Sequence, residues 1–214
     1  MIELPFHYVS RKSNLCDQKP PLLLMLHGYG SNENDLFSFS EHIPKKYTVV
    51  SIRAPIDLGM GFAWYDISFD HFGNKVYDTK MAIDARDSIK NYISLCHKKF
   101  NTNPQLTTLL GFSQGAILCN AIALTSPIGI KNIVSLSGGI DKKIININKG
   151  NLDSVSFYFS HGIFDDVLPF KQAKESLDLL TNNGIDFHFE NFPSGHGVSP
   201  ENFKSMLKWL ISKS

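Results

Sequence analysis

The sequence predicts an α/β protein: one mostly parallel, twisted sheet with helices packed on both faces and no large lid. Three observations lead there. Short runs such as Leu22-Leu23-Leu24-Met25-Leu26 and Thr48-Val49-Val50-Ser51-Ile52 are apolar on consecutive rather than alternate positions, the pattern of strands covered on both faces. Helical stripes of apolar residues lie between such runs. The length of 214 residues suits a single domain, 1–214, better than two small ones.

The strands are expected at residues 2–10, 22–27, 47–53, 107–112, 132–136, 156–161 and 186–192. The longest helix is expected at 78–100, where Ala82, Ala85, Ile89, Ile93, Cys96 and Phe100 recur at steps of three and four. Cys96 is therefore a core side chain on this reading. A second helix covers 171–182, with Ala173, Leu177 and Leu180 on one face and the glycine stop Asn182-Asn183-Gly184 after it. The last helix opens with Ser199 as N-cap and Pro200 in the first turn. Its stripe is Phe203, Met206, Leu207, Leu210 and Ile211. Two segments, 54–78 and 138–153, show no regular pattern. The first carries Trp64 and Tyr65 in GMGFAWYDI and is too aromatic for a disordered linker.

Composition narrows the function classes. There are 21 basic and 20 acidic side chains, a net charge of +1. Nucleic acid or an acidic membrane surface calls for a basic excess that is missing here. The longest aliphatic run is far too short to span a bilayer. Cys16, Cys96 and Cys119 are odd in number and far apart, which fits a reducing compartment. The first residues lack the apolar stretch of a signal peptide, so the expected location is the cytoplasm. With no HExxH and no Cys/His set at zinc spacing, neither metal nor cofactor is expected.

The chemistry-bearing motif is Gly111-Phe112-Ser113-Gln114-Gly115, a G-x-S-x-G between an expected strand and an expected helix. The serine takes a sharp, strained turn, and flanking glycines remove side chains that would clash there. Its hydroxyl then stands above the sheet at a helix N-terminus, which favours developing negative charge.

A serine hydroxyl needs a base, and for nucleophiles on such turns the chain order is serine, acid, histidine. His188 lies inside the alternating stretch DFHFENF and reads as a strand-surface residue. His161 ends a strand just before Gly162. His196 lies in PSGHGVSP, a loop between the last strand and the last helix, from which a general base can reach a neighbouring strand. His196 is the expected base. Between Ser113 and His196, only Asp165 and Asp166 follow the carboxyl end of a strand, and position alone does not choose between them. The acid must accept the histidine Nδ1–H and stay ionised. A glycine-rich turn, His27-Gly28-Tyr29-Gly30, leaves backbone N–H groups free. The amides of Tyr29 and Gln114 are the expected oxyanion donors, with His27 fixing the loop.

Together, LHGYGSNENDL, RAP followed by AWYDI, LLGFSQGAILCNAIAL, SHGIFDDVLP and FPSGHGVSPENF resemble the phospholipase/carboxylesterase family of α/β hydrolases, over about 22–210. That family includes acyl-protein thioesterases and small bacterial carboxylesterases. The resemblance implies an α/β-hydrolase fold, Ser113 as nucleophile and His196 as base. It places the acid four residues after His161, at Asp165, and gives Asp166 no role. It puts the oxyanion amides on Tyr29 and Gln114, and Trp64 beside the acyl or alcohol pocket; Trp64 and Tyr65 are the expected pocket residues. Ala116 stands where many relatives have a second glycine.

The expected activity is hydrolysis of carboxylic ester or thioester bonds of small acyl substrates through an acyl-enzyme. An acyltransferase on the same scaffold is the alternative, and a binding module without catalysis a third reading. A small acyl ester or thioester is the expected partner, with no nucleic acid and no membrane span; a homodimer is allowed for.

Overall fold

The computed structural model describes residues 2–16, 18–72 and 75–213. Its main sheet has seven strands: β1 (Tyr8–Arg11), β2 (Leu22–Leu26), β3 (Thr48–Ile52), β8 (Thr107–Phe112), β9 (Ile130–Leu136), β10 (Ser156–Gly162) and β11 (His188–Phe192). They lie in the order β1-β3-β2-β8-β9-β10-β11. β1 runs antiparallel to β3, and every other neighbouring pair is parallel. The predicted class is therefore the observed one. The first strand is shorter than expected, since residues 2–7 stay outside the sheet.

The apolar runs explain themselves once both faces are occupied. Leu22, Leu24 and Leu26 point into a core with α2 (Thr79–Phe100), α3 (Gln114–Thr125) and α4 (Phe170–Asn182). Leu23 and Met25 point the other way, into a core with α1 (Asn34–Phe37) and α5 (Pro200–Ser212). All five side chains are fully buried, and each contributes roughly 1.5–3 kcal/mol relative to exposure. One strand thus pins helices on both sides of the sheet.

The helix boundaries follow their caps. The Asp78 carboxylate accepts from the amides of Lys80 and Met81 at the start of α2, and the Ser199 hydroxyl accepts from the amide of Asn202 at the start of α5. Ala82, Ala85, Ile89, Ile93 and Cys96 are buried as expected, joined by Tyr92. Burial pushes the Cys96 thiol up to about 12, so it is an inert core group. In α5 the expected stripe needs one correction. Ile211, in the last turn, is exposed, and Trp209 packs instead against Tyr158 with ring centroids 5.4 Å apart.

The segment 54–78 is more ordered than its sequence suggests. It forms two small antiparallel ribbons, β4 (Ile56–Asp57) with β5 (Phe62–Ala63) and β6 (Ile67–Phe69) with β7 (Lys75–Tyr77). Strands of two or three residues are too short to show a period. Gly73 and Asn74, in the same segment, lie outside the described residues. The segment 138–153 contains two 3₁₀ turns, Lys142–Ile144 and Leu152–Ser154. No helix among the described residues is long and apolar enough to cross a membrane.

Candidate active site

Strand β8 lies at the centre of the sheet, and Ser113 follows its last residue. Ser113 has φ 52° and ψ −118°, a strained turn into α3. Its amide donates to Leu136 O at 3.0 Å, tying the turn to β9. The turn is possible only because Gly115 has no side chain: a Cβ there would stand 2.1 Å from Leu26 O and 2.6 Å from His27 O. The helix start is thereby pressed onto the end of β2, beside the His27-Gly28-Tyr29-Gly30 turn.

The Ser113 hydroxyl lies 2.9 Å from His196 Nε2. His196 Nδ1 lies 2.7 Å from Asp165 Oδ2. The His196 ring also packs on Phe112, centroids 5.0 Å apart. These three groups come from loops after β8, β10 and β11. Two strands separate β8 from β11, so the His196 loop has to span three strand spacings, about 14 Å, across the sheet end. It crosses over Gly162, where a Cβ would lie 2.4 Å from Ser194 O and 2.3 Å from Gly195 O. The two loops are then zipped together: Ile163 N donates to Phe192 O and Phe164 N to Ser194 O.

The adjacent aspartates separate in space. Asp166 is exposed. Asp165 is 6% exposed, and its Oδ1 accepts from the amides of Val167 (3.0 Å) and Leu168 (2.8 Å). Its two oxygens are thus satisfied by two backbone amides and the His196 ring. His161, also buried, places Nε2 2.7 Å from Leu168 O and 3.2 Å from Asp165 Oδ2. His188 is exposed and pairs with Glu190 at 2.7 Å.

The loop after β2 is held from several sides. His27 is fully buried; its Nε2 accepts from Ala54 N at 3.0 Å, so Nδ1 carries the proton and donates to Gly28 O at 2.7 Å. Burial lowers its pKa from the ordinary value. Gly30 N donates to Phe62 O. Arg53 grips the buried Glu33 with two bonds of 2.6 Å, Nε to Oε2 and Nη2 to Oε1, and holds that carboxyl below the usual range. Among the described residues, the amides of Tyr29 and Gln114 have no acceptor in the protein, which leaves both able to receive an oxygen from a ligand.

Gln114 also works through its side chain, a role invisible in the motif. Its Oε1 accepts from Trp64 N at 2.9 Å and its Nε2 donates to Tyr65 O at 2.8 Å. The residue after the serine thus clamps the segment 54–78. A cavity of about 600 Å³ opens beside it, lined by Tyr65, Ile67, Tyr77, Ile117, Ile140 and Leu168 among others. It abuts the site through Ile117, one helical turn after Ser113, and through Leu168, whose amide is held by Asp165.

The expected pocket pair divides here. Tyr65 lines the cavity, but Trp64 does not. The Trp64 indole is 2% exposed, donates to His27 O at 2.9 Å, and packs on Phe6 and His27. A large ring with one donor is better satisfied inside the core than on a cavity wall. Tyr77 was not anticipated; its hydroxyl bonds to Asp141 across the cavity. Among the described residues, no group of three or more His, Cys, Asp or Glu could hold a metal ion.

Comparison with known proteins bears on these features. The Phospholipase/Carboxylesterase family model matches residues 14–213. A probable carboxylesterase SOBER1-like protein of Arabidopsis thaliana is 28% identical over 204 residues, covering 88% of this chain and 77% of the relative. Acyl-protein thioesterase 1 of Candida albicans is 26% identical over 208 residues, covering 88% and 90%. Among solved structures, the Bacillus cereus carboxylesterase superimposes with a TM-score of 0.82 at 21% identity, covering 98% of this chain and 95% of that one.

Proposed function

The chain belongs to the phospholipase/carboxylesterase family of α/β hydrolases, and we propose that within it the protein cleaves ester or thioester bonds of small acyl substrates with Ser113, His196 and Asp165 as a catalytic triad. The observation that carries this is the unbroken hydrogen-bonded chain Asp165–His196–Ser113, at 2.7 and 2.9 Å, ending on a strained serine at a helix N-terminus.

Each step has a named group. His196 Nε2 takes the Ser113 proton as Oγ attacks the acyl carbonyl carbon. Asp165 holds Nδ1–H, which keeps Nε2 free to accept and stabilises the imidazolium. The carbonyl oxygen becomes an oxyanion and is received by the amides of Tyr29 and Gln114. The tetrahedral intermediate collapses, and His196 passes the proton to the departing alcohol or thiol. Water, deprotonated by His196, then releases the acid from the Ser113 ester. The acyl group extends into the cavity beside Tyr65 and Leu168. The names of the relatives, carboxylesterase and acyl-protein thioesterase, agree with this substrate class.

The test is a series of p-nitrophenyl esters and acyl thioesters of rising chain length, together with a fluorophosphonate probe. Wild type should turn over members of the series and take one probe at Ser113. Ser113→Ala should do neither, and activity surviving in Ser113→Ala would overturn the proposal.

A further inference from the structure

We propose that His161 is a positioning residue whose single Nε2–H joins the acid of the triad to the wall of the substrate cavity; this rests on the triad reading above. His161 lies at the end of β10 with 1% exposure, beside the Phe170 ring at 6.2 Å. Its Nε2 faces two acceptors, Leu168 O at 2.7 Å and Asp165 Oδ2 at 3.2 Å. Neither can donate, so Nε2 carries the hydrogen; it is given to Leu168 O, and its positive end stands beside the Asp165 carboxylate.

The two acceptors belong to one turn. Leu168 gives its amide to Asp165 Oδ1 and its carbonyl to His161. The same residue, with Val167, lines the cavity, and Lys75 fastens that wall from the other side by donating to Val167 O at 2.8 Å. A shift of the cavity wall at Leu168 therefore moves the partner that His161 shares with the acid.

The electrostatic consequence falls on His196. Asp165 Oδ2 accepts from His196 Nδ1 and lies 3.2 Å from His161 Nε2, whose hydrogen bond goes to Leu168 O. The positive end of that N–H dipole beside the carboxylate weakens the hold of Asp165 on a protonated His196. The titratable and charged groups around this pair are His161 on β10, Ser113 before α3, the partner His196 itself and, one carbonyl removed, Lys75 on β7. Asp166 is exposed.

The experiment compares wild type, His161→Phe and His161→Gln, with active enzyme counted by fluorophosphonate titration. In His161→Phe, kcat/KM should fall roughly 10- to 100-fold, and the lower pH midpoint of kcat/KM should rise by about half a unit. His161→Gln, whose amide nitrogen can occupy the place of Nε2, should restore both. A packing role alone would lower the titrated fraction and leave the midpoint of the remainder in place. An unchanged midpoint in His161→Phe, or a Gln variant no better than Phe, overturns the inference. A third measurement needs no variant: ¹⁵N NMR of the wild-type histidines should show a hydrogen on His161 Nε2, and an Nδ1–H tautomer with a bare Nε2 also overturns it. Failure of the wild type to label at Ser113 would instead sink the triad reading.

Discussion

Replacing Asp165 by asparagine changes one oxygen to an NH₂ group and removes one charge. The surroundings dictate how that amide must sit. Oδ1 of Asp165 accepts from the amides of Val167 and Leu168 at 3.0 and 2.8 Å. An NH₂ group placed there would meet two donors, so the asparagine keeps its oxygen on that side. Its NH₂ then faces His196 Nδ1, at the 2.7 Å position now held by a carboxylate oxygen. His196 must turn its lone pair toward that donor and carry its proton on Nε2, where it can no longer accept from Ser113. The expected loss in kcat is about 10³–10⁴-fold, equivalent to about 4–5.5 kcal/mol of transition-state stabilisation. The two amide bonds to Oδ1 survive, but the NH₂ also meets the buried His161 Nε2–H, 3.2 Å from Oδ2, so a stability loss of about 1–3 kcal/mol is expected. The assay is p-nitrophenyl ester turnover alongside thermal melting, with Asp166→Asn as the control. The exposed Asp166 variant should stay within about threefold of wild type. An Asp165→Asn enzyme that is folded at the assay temperature and keeps more than a tenth of its kcat would refute the reasoning.

Three further outcomes follow from the same geometry. Gln114→Leu strands the Trp64 amide and the Tyr65 carbonyl in the interior. It should cost about 2–4 kcal/mol, seen as a drop in Tm of about 5–15 °C, and a variant melting with wild type would count against the clamp. Gly115→Ala drives a Cβ into the carbonyls of Leu26 and His27. Both are backbone, so the expected cost exceeds about 3 kcal/mol, measured by urea denaturation; a loss under 1 kcal/mol would mean that the helix start can retreat. His27 gives a pH dependence. Its pKa is lowered in the fold, chiefly by burial, against an opposing pull from Gly28 O. The unfolded chain then takes up the proton first, near pH 6.5. Stability is complete above that pH and declines as pH falls from there toward the lowered folded value. Urea midpoints for wild type and His27→Gln at pH 7.5 and 5.0 test this: the acid loss should be smaller in the variant, and equal losses would refute it.

Much of the fold was legible because burial leaves a periodic mark. The run at 22–26 told of a strand covered twice, and Leu23 and Leu24 do face different cores. Ser199 and Pro200 marked a helix start because capping is local chemistry. The ribbons β4–β5 and β6–β7 were not legible, since strands so short carry no period and the segment is held by distant loop residues, Gly30 and Ser31 on Phe62 and Gln114 on Trp64 and Tyr65. Ile211 fell outside the core for a related reason: a stripe fixes a helix face and says nothing of where the packing partner ends.

The sequence by itself determined the strand–turn–helix around Ser113 and the order of the motifs, both of which depend on neighbours along the chain. It named Asp165 and Asp166 without choosing between them on position, and the choice came from family likeness. Tertiary structure decided what depends on neighbours in space. It buried Asp165 under two amides and two histidines while leaving Asp166 in solvent. It sent Trp64 into the core and Tyr65 to the cavity, and gave the Gln114 side chain its two partners 49 and 50 residues away. Hydrogen bonds of that span are set by how strands order in the sheet and loops cross its end, a three-dimensional arrangement that no local pattern records.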